Sequence, residues 1–383
     1  MYGMTTLGEL ITRAEVDRCG TRNFPVLSMT MHDGIMLQSE RFKKSLASVD
    51  QSAYKVVSRN QLVVGFPIDE GVLYIQKVAD AGIMSPAYDV WDVQQDIVNL
   101  DYLELSLHSP QSMQYYKTNL RGTTARRRSL PKDVLLSLPI RLPDISEQEK
   151  IAKIINKAKS VMQLHQQQLA ALDDLIKARF VEMFGDETNP YSFPVVNVEE
   201  VADVSVGVVI KPAQYYTDSK RGVKAFRSLN IGPMEIKDSD WVYFSHEGNN
   251  KNCKSQLKEN DLLIVRSGAP GTACVVTKQY EGCNAIDIII ARPNTAQINP
   301  YYLCAYTNMP HGKRQIDEGT GGAAQQHFNV GKYNKLKLML PPMGLQNQFV
   351  AFINQIDKSK AVVQKALDEA QLLFDSLMQQ YFG

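Results

Sequence analysis

The feature of this sequence that most constrains its fold is an internal duplication with a period of about 200 residues. Residues 142–185 align with residues 340–383, and both segments open on Leu-Pro and close on Phe-Gly. The positions of the first segment that are identical in the second are Leu142, Pro143, Gln148, Ile155, Asn156, Gln166, Leu169, Leu175, Phe184 and Gly185. Upstream, Asn60, Gly82, Tyr102 and Pro110 match Asn260, Gly282, Tyr302 and Pro310. Solenoid repeats are only about 20–50 residues long, so the sequence predicts a duplicated domain.

The duplication divides the chain into four predicted segments. These are a first globular domain at 1–142, a central spacer helix at 143–185, a second globular domain at 186–340 and a C-terminal spacer helix at 341–383. Short β-branched runs bounded by Gly, Pro, Asn or Asp predict a mainly β core in each globular domain. These runs are QLVVGFPI (61–68), GVLYIQKV (71–78), DLLIVRSG (261–268), TACVVTKQ (272–279) and AIDIIIARP (285–293). Short helices are predicted within 99–119 and 299–316, so the fold class is α+β.

The two repeated segments predict long helices that pair with each other. DISEQEK opens the first helix, with Ser146 as the predicted N-cap and Glu147 in the first turn. Apolar residues then recur at alternating spacings of three and four, which is typical of a coiled-coil seam. The predicted seam residues are Ile151, Ile155, Met162, Leu169, Leu172 and Ile176 in the first helix, and Ile353, Ile356, Val363, Leu367, Phe374 and Leu377 in the second.

The connectivity predicts that this helix pair is antiparallel. The first helix leads from the first globular domain to the second, and the second helix must return for its apolar seam to be covered. We therefore expect a coiled coil between the two globular domains, with an approximate two-fold relation between the copies. This arrangement is a tandem duplication with pseudo-two-fold symmetry.

Composition excludes several classes of protein. The formal net charge is +1, which argues against a polybasic nucleic-acid binder but leaves room for local basic patches. The five cysteines show no C-x-x-C spacing and the start of the chain has no secretion-signal pattern, so we expect reduced thiols and a cytoplasmic protein. No apolar run reaches the roughly 18 residues that predict a membrane span. The six histidines lack H-x-x-x-H spacing, so no metal site is predicted.

Catalytic motifs are largely missing from the sequence. There is no G-x-x-x-x-G-K-[ST] phosphate loop and no G-x-S-x-G nucleophile elbow. GTGGAA at 319–324 lacks the strand and helix that flank a nucleotide loop, so we interpret it as a surface loop. NPY at 189–191 lacks one proline of the Asn-Pro-Pro-Tyr site of adenine methyltransferases and is interpreted as a linker. No catalytic residue is therefore predicted.

Local charge indicates candidate DNA contacts in the first copy. Residues 111–132 hold six basic residues and no acidic one, interleaved with tyrosines and hydroxyl side chains. Guanidinium, ammonium and hydroxyl groups are the donors that contact phosphates and base edges. The candidates are Lys117, Arg121, Thr123, Thr124, Arg126, Arg127 and Arg128. The alternative is a solvated basic loop with no DNA contact.

The corresponding loop of the second copy has different chemistry. Glutamine can pair with adenine and arginine with guanine, so unlike loops could read two different sequences. The second-copy candidates are Gln325, Gln326, His327, Lys211, Lys220, Arg227, Arg266 and Ser267. For Arg266 and Ser267, within IVRSGAPG, the alternative is an ordinary hairpin turn.

With these motifs the chain resembles the specificity subunits of type I restriction-modification systems. The resemblance rests on SLPIRLPDISEQEKIAKII with its Phe-Gly-terminated helix, on the degenerate second copy, and on FRSLNI, NDLLIVRSG and PYYLCAY with the later QQHFN. It covers nearly the whole chain. The second copy departs from the Leu-Pro…Glu-Gln phrase, since Leu345 stands where Glu precedes Gln.

The resemblance implies a non-catalytic subunit with two target-recognition domains, each reading one half of a split DNA sequence. The helices would serve as the spacer between them. It also implies two methyltransferase subunits that use S-adenosylmethionine, and restriction subunits that use ATP and Mg²⁺, with no cofactor bound by this chain. Two alternatives remain: a non-catalytic assembly scaffold or silent cassette that does not read DNA, and a stand-alone enzyme, which the missing motifs disfavour.

Overall fold

The structure, a computed structural model, describes residues 3–31, 33–41, 50–120, 130–186, 193–320 and 328–383. The chain divides into two compact units. The first unit comprises Met1–Gln167 with Gln364–Gly383, and the second comprises Gln168–Val363. Each unit thus combines one globular part with a segment from each of the two long helices. No helix in the described ranges has a stretch apolar enough to span a bilayer.

The first unit is built from short strands and short helices. Its strands are β1 (Gly3–Thr6), β2 (Ile11–Arg13), β3 (Leu27–Met29), β4 (Ile35–Leu37), β5 (Lys55–Ser58), β6 (Leu62–Val64), β7 (Leu73–Ile75), β8 (Ala81–Met84), β9 (Asp89–Val93) and β10 (Pro139–Leu142). Its short helices are α1 (Leu7–Leu10), α2 (Gln38–Arg41), α3 (Leu100–Leu107), α4 (Pro110–Asn119) and α5 (Lys132–Leu136). The main antiparallel sheet has the order β2-β9-β6-β7, and β1-β10, β3-β4 and β5-β8 form antiparallel pairs.

A long helix, α6 (Ile145–Phe184), leaves the first unit. The side chain of Asp144 accepts a hydrogen bond from the backbone N–H of Glu147 at 3.0 Å. Asp144 is therefore the N-cap, and the prediction of Ser146 was wrong. The Asp144 carboxylate reaches the third amide of the helix, where it also complements the helix dipole, whereas Ser146 lies inside the first turn.

The second unit repeats this arrangement and adds strands of its own. Its strands are β11 (Val195–Asn197), β12 (Ala202–Val206), β13 (Tyr216–Thr217), β14 (Gly222–Phe226), β15 (Ile231–Gly232), β16 (Glu235–Ile236), β17 (Val242–Ser245), β18 (Leu262–Val265), β19 (Ala273–Val275), β20 (Asn284–Ala285), β21 (Ile288–Pro293) and β22 (Lys337–Met339). Its helices are α7 (His246–Lys251), α8 (Pro300–Asn308), α9 (Pro310–Thr320) and α10 (Val330–Asn334), and it contains the first part of the long α11 (Met343–Phe382), which continues into the first unit from Gln364. The predicted strands and short helices are confirmed in both units.

The duplication is visible in the sheets. The order β12-β21-β18-β19 in the second unit reproduces β2-β9-β6-β7 in the first, and the pair β11-β22 reproduces β1-β10. The sheet of order β13-β17-β14-β20 has no counterpart of that order among the described residues of the first unit. The two copies therefore share a core and differ in the strands added to it.

A buried glutamine joins each long helix to its own globular part. Gln148 accepts a hydrogen bond from the backbone N–H of Asn99 at 2.8 Å and donates to the Pro143 carbonyl at 2.8 Å. In the second unit, Gln346 accepts from Asn299 at 2.8 Å and donates to Pro341 at 2.8 Å. Both side chains are fully buried. The glutamine conserved between the copies is thus a structural joint that satisfies buried backbone groups.

The two long helices run antiparallel within each unit. In the first unit, Ile151 and Ile155 near the start of α6 share a core with Met378 and Phe382 at the end of α11. In the second unit the end of α6 shares a core with the start of α11; the residues concerned are Ile176, Phe180, Phe184, Phe349 and Ile353. All of the predicted seam residues are buried or half-buried. The fold is the α+β architecture with paired antiparallel helices that the sequence predicts.

Candidate nucleic-acid interface

The predicted DNA-contact residues fall into two groups. One group lies outside the described residues: Arg121, Thr123, Thr124, Arg126, Arg127, Arg128, Gln325, Gln326 and His327. The other group is placed by the structure: Lys117, Lys211, Lys220, Arg227, Arg266 and Ser267. The surroundings of the second group define what each side chain can contact.

Arg266 anchors the segment that follows the predicted second-copy loop. It directly follows β18, in the connection to β19, and its guanidinium pairs with the carboxylate of Asp287. Its Nε donates to the Phe328 carbonyl at 3.3 Å, and the Phe328 N–H donates to the Arg266 carbonyl at 2.9 Å. The Arg266 side chain is only 12% exposed. Arg266 therefore holds Phe328, the first described residue after 325–327, against the β18–β19 hairpin.

Lys211 belongs to a loop that is bonded to the same region. Val208 donates its N–H to Ala285 at 2.7 Å and accepts one from Asp287 at 3.2 Å. Three residues later, Lys211 is exposed and adopts φ 45°, and Asp287 adopts φ 52°. Side chains other than Gly and Asn rarely occupy this left-handed region, and such strain is concentrated at functional sites. Ile210, which directly precedes Lys211, is 79% exposed.

Lys220 and Arg227 are not brought together. Lys220 is an exposed residue in the turn between β13 and β14, where its N–H donates to Asp218 at 2.9 Å. Arg227 follows the other end of β14, and its Nη2 donates to the Asp240 carbonyl. Lys117 is exposed in the last turn of α4 in the first unit. Of these three, Lys117 and Lys220 have the exposure that a phosphate contact requires.

The first unit also contains a basic cluster, which we define as Arg13, Arg18, Lys55 and Lys132. Lys55 lies opposite Arg18 in an isolated antiparallel bridge, and its Nζ donates to the Tyr88 carbonyl. Lys132 pairs with Asp89, the next residue, at 2.7 Å. Arg13 is exposed at the end of β2.

Lys55 lies opposite Arg18, and Lys55 and Lys132 bond to the adjacent residues Tyr88 and Asp89, so the charges of the cluster act on one another. Burial lowers the pKa of Lys55, Asp89 opposes that shift, and Arg18, Lys132 and Arg13 lower the pKa further. Among the described charges that act on Lys55, cations therefore outnumber carboxylates. Such a concentration of positive charge suits the phosphate backbone of a nucleic acid.

Sequence reasoning missed Arg13, Arg18 and Lys55 because they are scattered along the chain. Lys132 closes the basic segment at 111–132, but the other three lie 77 or more positions upstream. The pairing of β2 with β9 and of Arg18 with Lys55 brings them together. No local run of charge marks them, so only the strand pairing could have revealed the cluster.

Solved structures with the same fold are known. One, described as "Structural basis underlying complex assembly and conformational transition of the type I R-M system", matches with a TM-score of 0.58 and 16% identity, over 100% of this chain and 97% of that chain. Another, "Crystal structure of Type-I restriction-modification system S subunit from M. genitalium", matches with a TM-score of 0.52 and 11% identity, over 100% of this chain and 96% of that chain. No protein-family model matches the sequence. At this identity the likeness shows the fold of the entire chain.

Proposed function

We propose that this chain is the sequence-specificity subunit of a type I restriction-modification complex. Its two globular parts would each read one half of a bipartite double-stranded DNA target. The observation that carries the proposal is the likeness in fold to a type I S subunit, which extends over the whole chain and includes both copies of the duplication. A chain with two unlike copies on one scaffold suits two unlike half-sites.

The basic cluster supports DNA as the ligand. Arg13, Arg18, Lys55 and Lys132 supply guanidinium and ammonium groups for phosphates, and Lys132 is the last residue of the basic segment 111–132 that contains Arg126–Arg128. Phosphate contacts fix the register of a protein on the duplex, and base contacts then supply specificity. We therefore assign the basic cluster to phosphate binding in the first half-site.

In this proposal the chain has no catalytic role. Adenine methylation would be carried out by two methyltransferase subunits with S-adenosylmethionine, and cleavage by restriction subunits with ATP and Mg²⁺. Exposed apolar residues on the long helices of the first unit support the docking of a partner protein there. Ile154, Val161 and Leu164 are exposed on α6, and Leu372 and Leu373 are exposed on α11. The spacing of seven between Ile154 and Val161 suits a partner helix.

Selection of bound DNA tests the proposed function. The full chain would be purified with its methylating partner and used to select duplexes from a randomised pool. The affinity of the most enriched duplex would then be measured by titration. We expect one bipartite duplex to bind about 10³-fold more tightly than random duplex at physiological salt. Replacing Arg126–Arg128 by Ala should weaken binding to one half-site only. Equal affinity for all duplexes would reject DNA reading and favour a scaffold or silent cassette.

A further inference from the structure

The two units carry different side-chain pairs at the end of the main sheet that lies just beyond β6 and β18, which we call the sheet corner. In the main sheets, Leu62 pairs with Trp91 and Leu262 pairs with Ala291, so the hairpins β6–β7 and β18–β19 correspond. Four residues further along, Phe66 and Arg266 occupy equivalent positions. Their neighbours before the next sheet strand differ as well. The Phe66 ring lies 6.1 Å from the Tyr88 ring, whereas Arg266 forms an ion pair with Asp287.

The aromatic pair in the first unit is held by its surroundings. Gly65 leaves room for Tyr88, because a Cβ added at Gly65 would lie 3.2 Å from Tyr88 Cε1 and 2.6 Å from Met29 Cε. The Gly65 N–H donates to the Val72 carbonyl at 2.8 Å, which fixes the hairpin. Tyr88 is half-buried, but Phe66 remains 56% exposed. The backbone next to Phe66 is therefore held in place by the hairpin, while more than half of the Phe66 side chain is exposed to solvent.

A single exposed aromatic residue is common on protein surfaces and does not indicate a binding site. Phe66 differs because basic residues lie beside its neighbour Tyr88. Lys55 donates to the Tyr88 carbonyl, and Lys132 pairs with Asp89, the next residue. Two members of the basic cluster thus flank the residue that supports Phe66. An apolar ring bordered by cations complements duplex DNA, whose phosphates carry charge and whose grooves offer thymine methyl groups and base steps.

We propose that Phe66, supported by Tyr88, makes an apolar contact with the bases of the first half-site. The Arg266–Asp287 pair gives the corresponding corner of the second unit a polar character. The two corners would then discriminate between half-sites by apolar contact in one unit and by polar contact in the other. This inference rests on the proposed function and names one residue that sets the specificity of the first unit.

The test uses the full chain with its methylating partner, and compares Phe66→Ala and Phe66→Leu with the wild type. Val78→Ala, at another exposed apolar residue of the first unit, is the matched control. We expect Phe66→Ala to weaken binding of the selected duplex about ten-fold and to leave binding of random duplex unchanged. Phe66→Leu should restore part of the loss, and Val78→Ala should bind like the wild type. Melting temperatures within a few degrees of each other would show that all variants fold.

A second measurement identifies which half-site is affected. In a selection repeated with Phe66→Arg, we expect the preferred bases to change in one half-site and to persist in the other. If Phe66→Ala weakens the selected and random duplexes equally, or weakens neither, the assignment of Phe66 is wrong. If the wild type itself prefers no duplex, the proposed function fails. If the wild type selects a duplex that Phe66→Ala still binds normally, only the assignment of Phe66 fails.

Discussion

The ring of Phe382, at the end of α11, lies 5.2 Å from the ring of Tyr102 in the first unit. The equivalent residue of the other helix, Phe184, lies 5.2 Å from Tyr302 in the second unit. Each long helix therefore begins in the core of one globular part and ends in the core of the other. The phenylalanine of each Phe-Gly pair packs into the core in which its helix ends, and this explains why the pair recurs at 184–185 and 382–383.

Truncation of Phe382 should destabilise the first unit. Phe382 is almost fully buried in a core with Tyr102 and Met378, so Phe382→Ala removes contacts and leaves a cavity. We expect a loss of about 3–5 kcal/mol in the free energy of unfolding. Urea titration measures this change, and hydrogen exchange locates it in the first unit.

The matched control for this change is Leu372→Ala, on an exposed turn of the same helix. It should alter the free energy of unfolding by no more than about 0.5 kcal/mol. Equal effects of the two substitutions would show that the helix end does not close the core.

Replacement of the buried Gln148 by an apolar residue should also lower the free energy of unfolding. Gln148→Leu leaves the Asn99 N–H and the carbonyls of Pro143 and Ile97 without their side-chain partner. We expect a loss of about 1–3 kcal/mol, because buried polar groups without hydrogen bonds are expensive. Gln166→Leu, at an exposed position of the same helix, is the control for thermal or urea unfolding. A Gln148→Leu variant as stable as wild type would contradict the role of the joint.

Lys55→Gln should separate stability from DNA affinity. Burial lowers the pKa of Lys55 in the folded state, so protonation of Lys55 costs stability at neutral pH, and this cost fades as the pH rises towards 10.5. Gln removes the charge and keeps a donor for the Tyr88 carbonyl. We expect a melting temperature at pH 7 no lower than wild type.

DNA binding by the same variant should weaken. The slope of log affinity against log salt should become shallower by about one, as expected for the loss of one phosphate contact. Lys153→Gln, at an exposed lysine of α6 in the first unit that is no DNA-contact candidate, is the comparison and should leave the salt slope unchanged. An unchanged salt slope for Lys55→Gln would remove Lys55 from the interface.

Asp357 should make the stability of the second unit depend on pH. Burial raises its pKa, Lys360 opposes the shift, and Asp173 and Glu235 raise the pKa further. A raised pKa means that ionisation of Asp357 costs stability, and this cost develops as the pH rises from about 3.8 through the folded pKa. Asp357→Asn should therefore raise the melting temperature at pH 7, with the gain shrinking as the pH falls towards 4. A constant difference across this range would contradict the assignment.

Much of the fold follows from local sequence, whereas the candidate site depends on strand pairing. The strands around Leu62 and Leu262 and the long helices carry strong periodic signals, and the structure confirms them. The N-cap at Asp144 was missed because Ser146 offered a competing cap two residues away. Arg13 and Lys55 were missed because residues distant in sequence meet only through the sheet. Phe66 carries no sequence signal apart from its alignment with Arg266.

The division of the chain into units has a consequence for synthesis on the ribosome. The second unit is one continuous stretch, Gln168–Val363, whereas the first needs Gln364–Gly383 to complete it. All parts of the second unit have therefore been made before the residues that close the first, including Met378 and Phe382. The unit whose translation begins first is therefore the last to have all of its core residues. Until residues 364–383 have been made, the apolar side chains around Tyr102 and Ile155 lack their packing partners from α11.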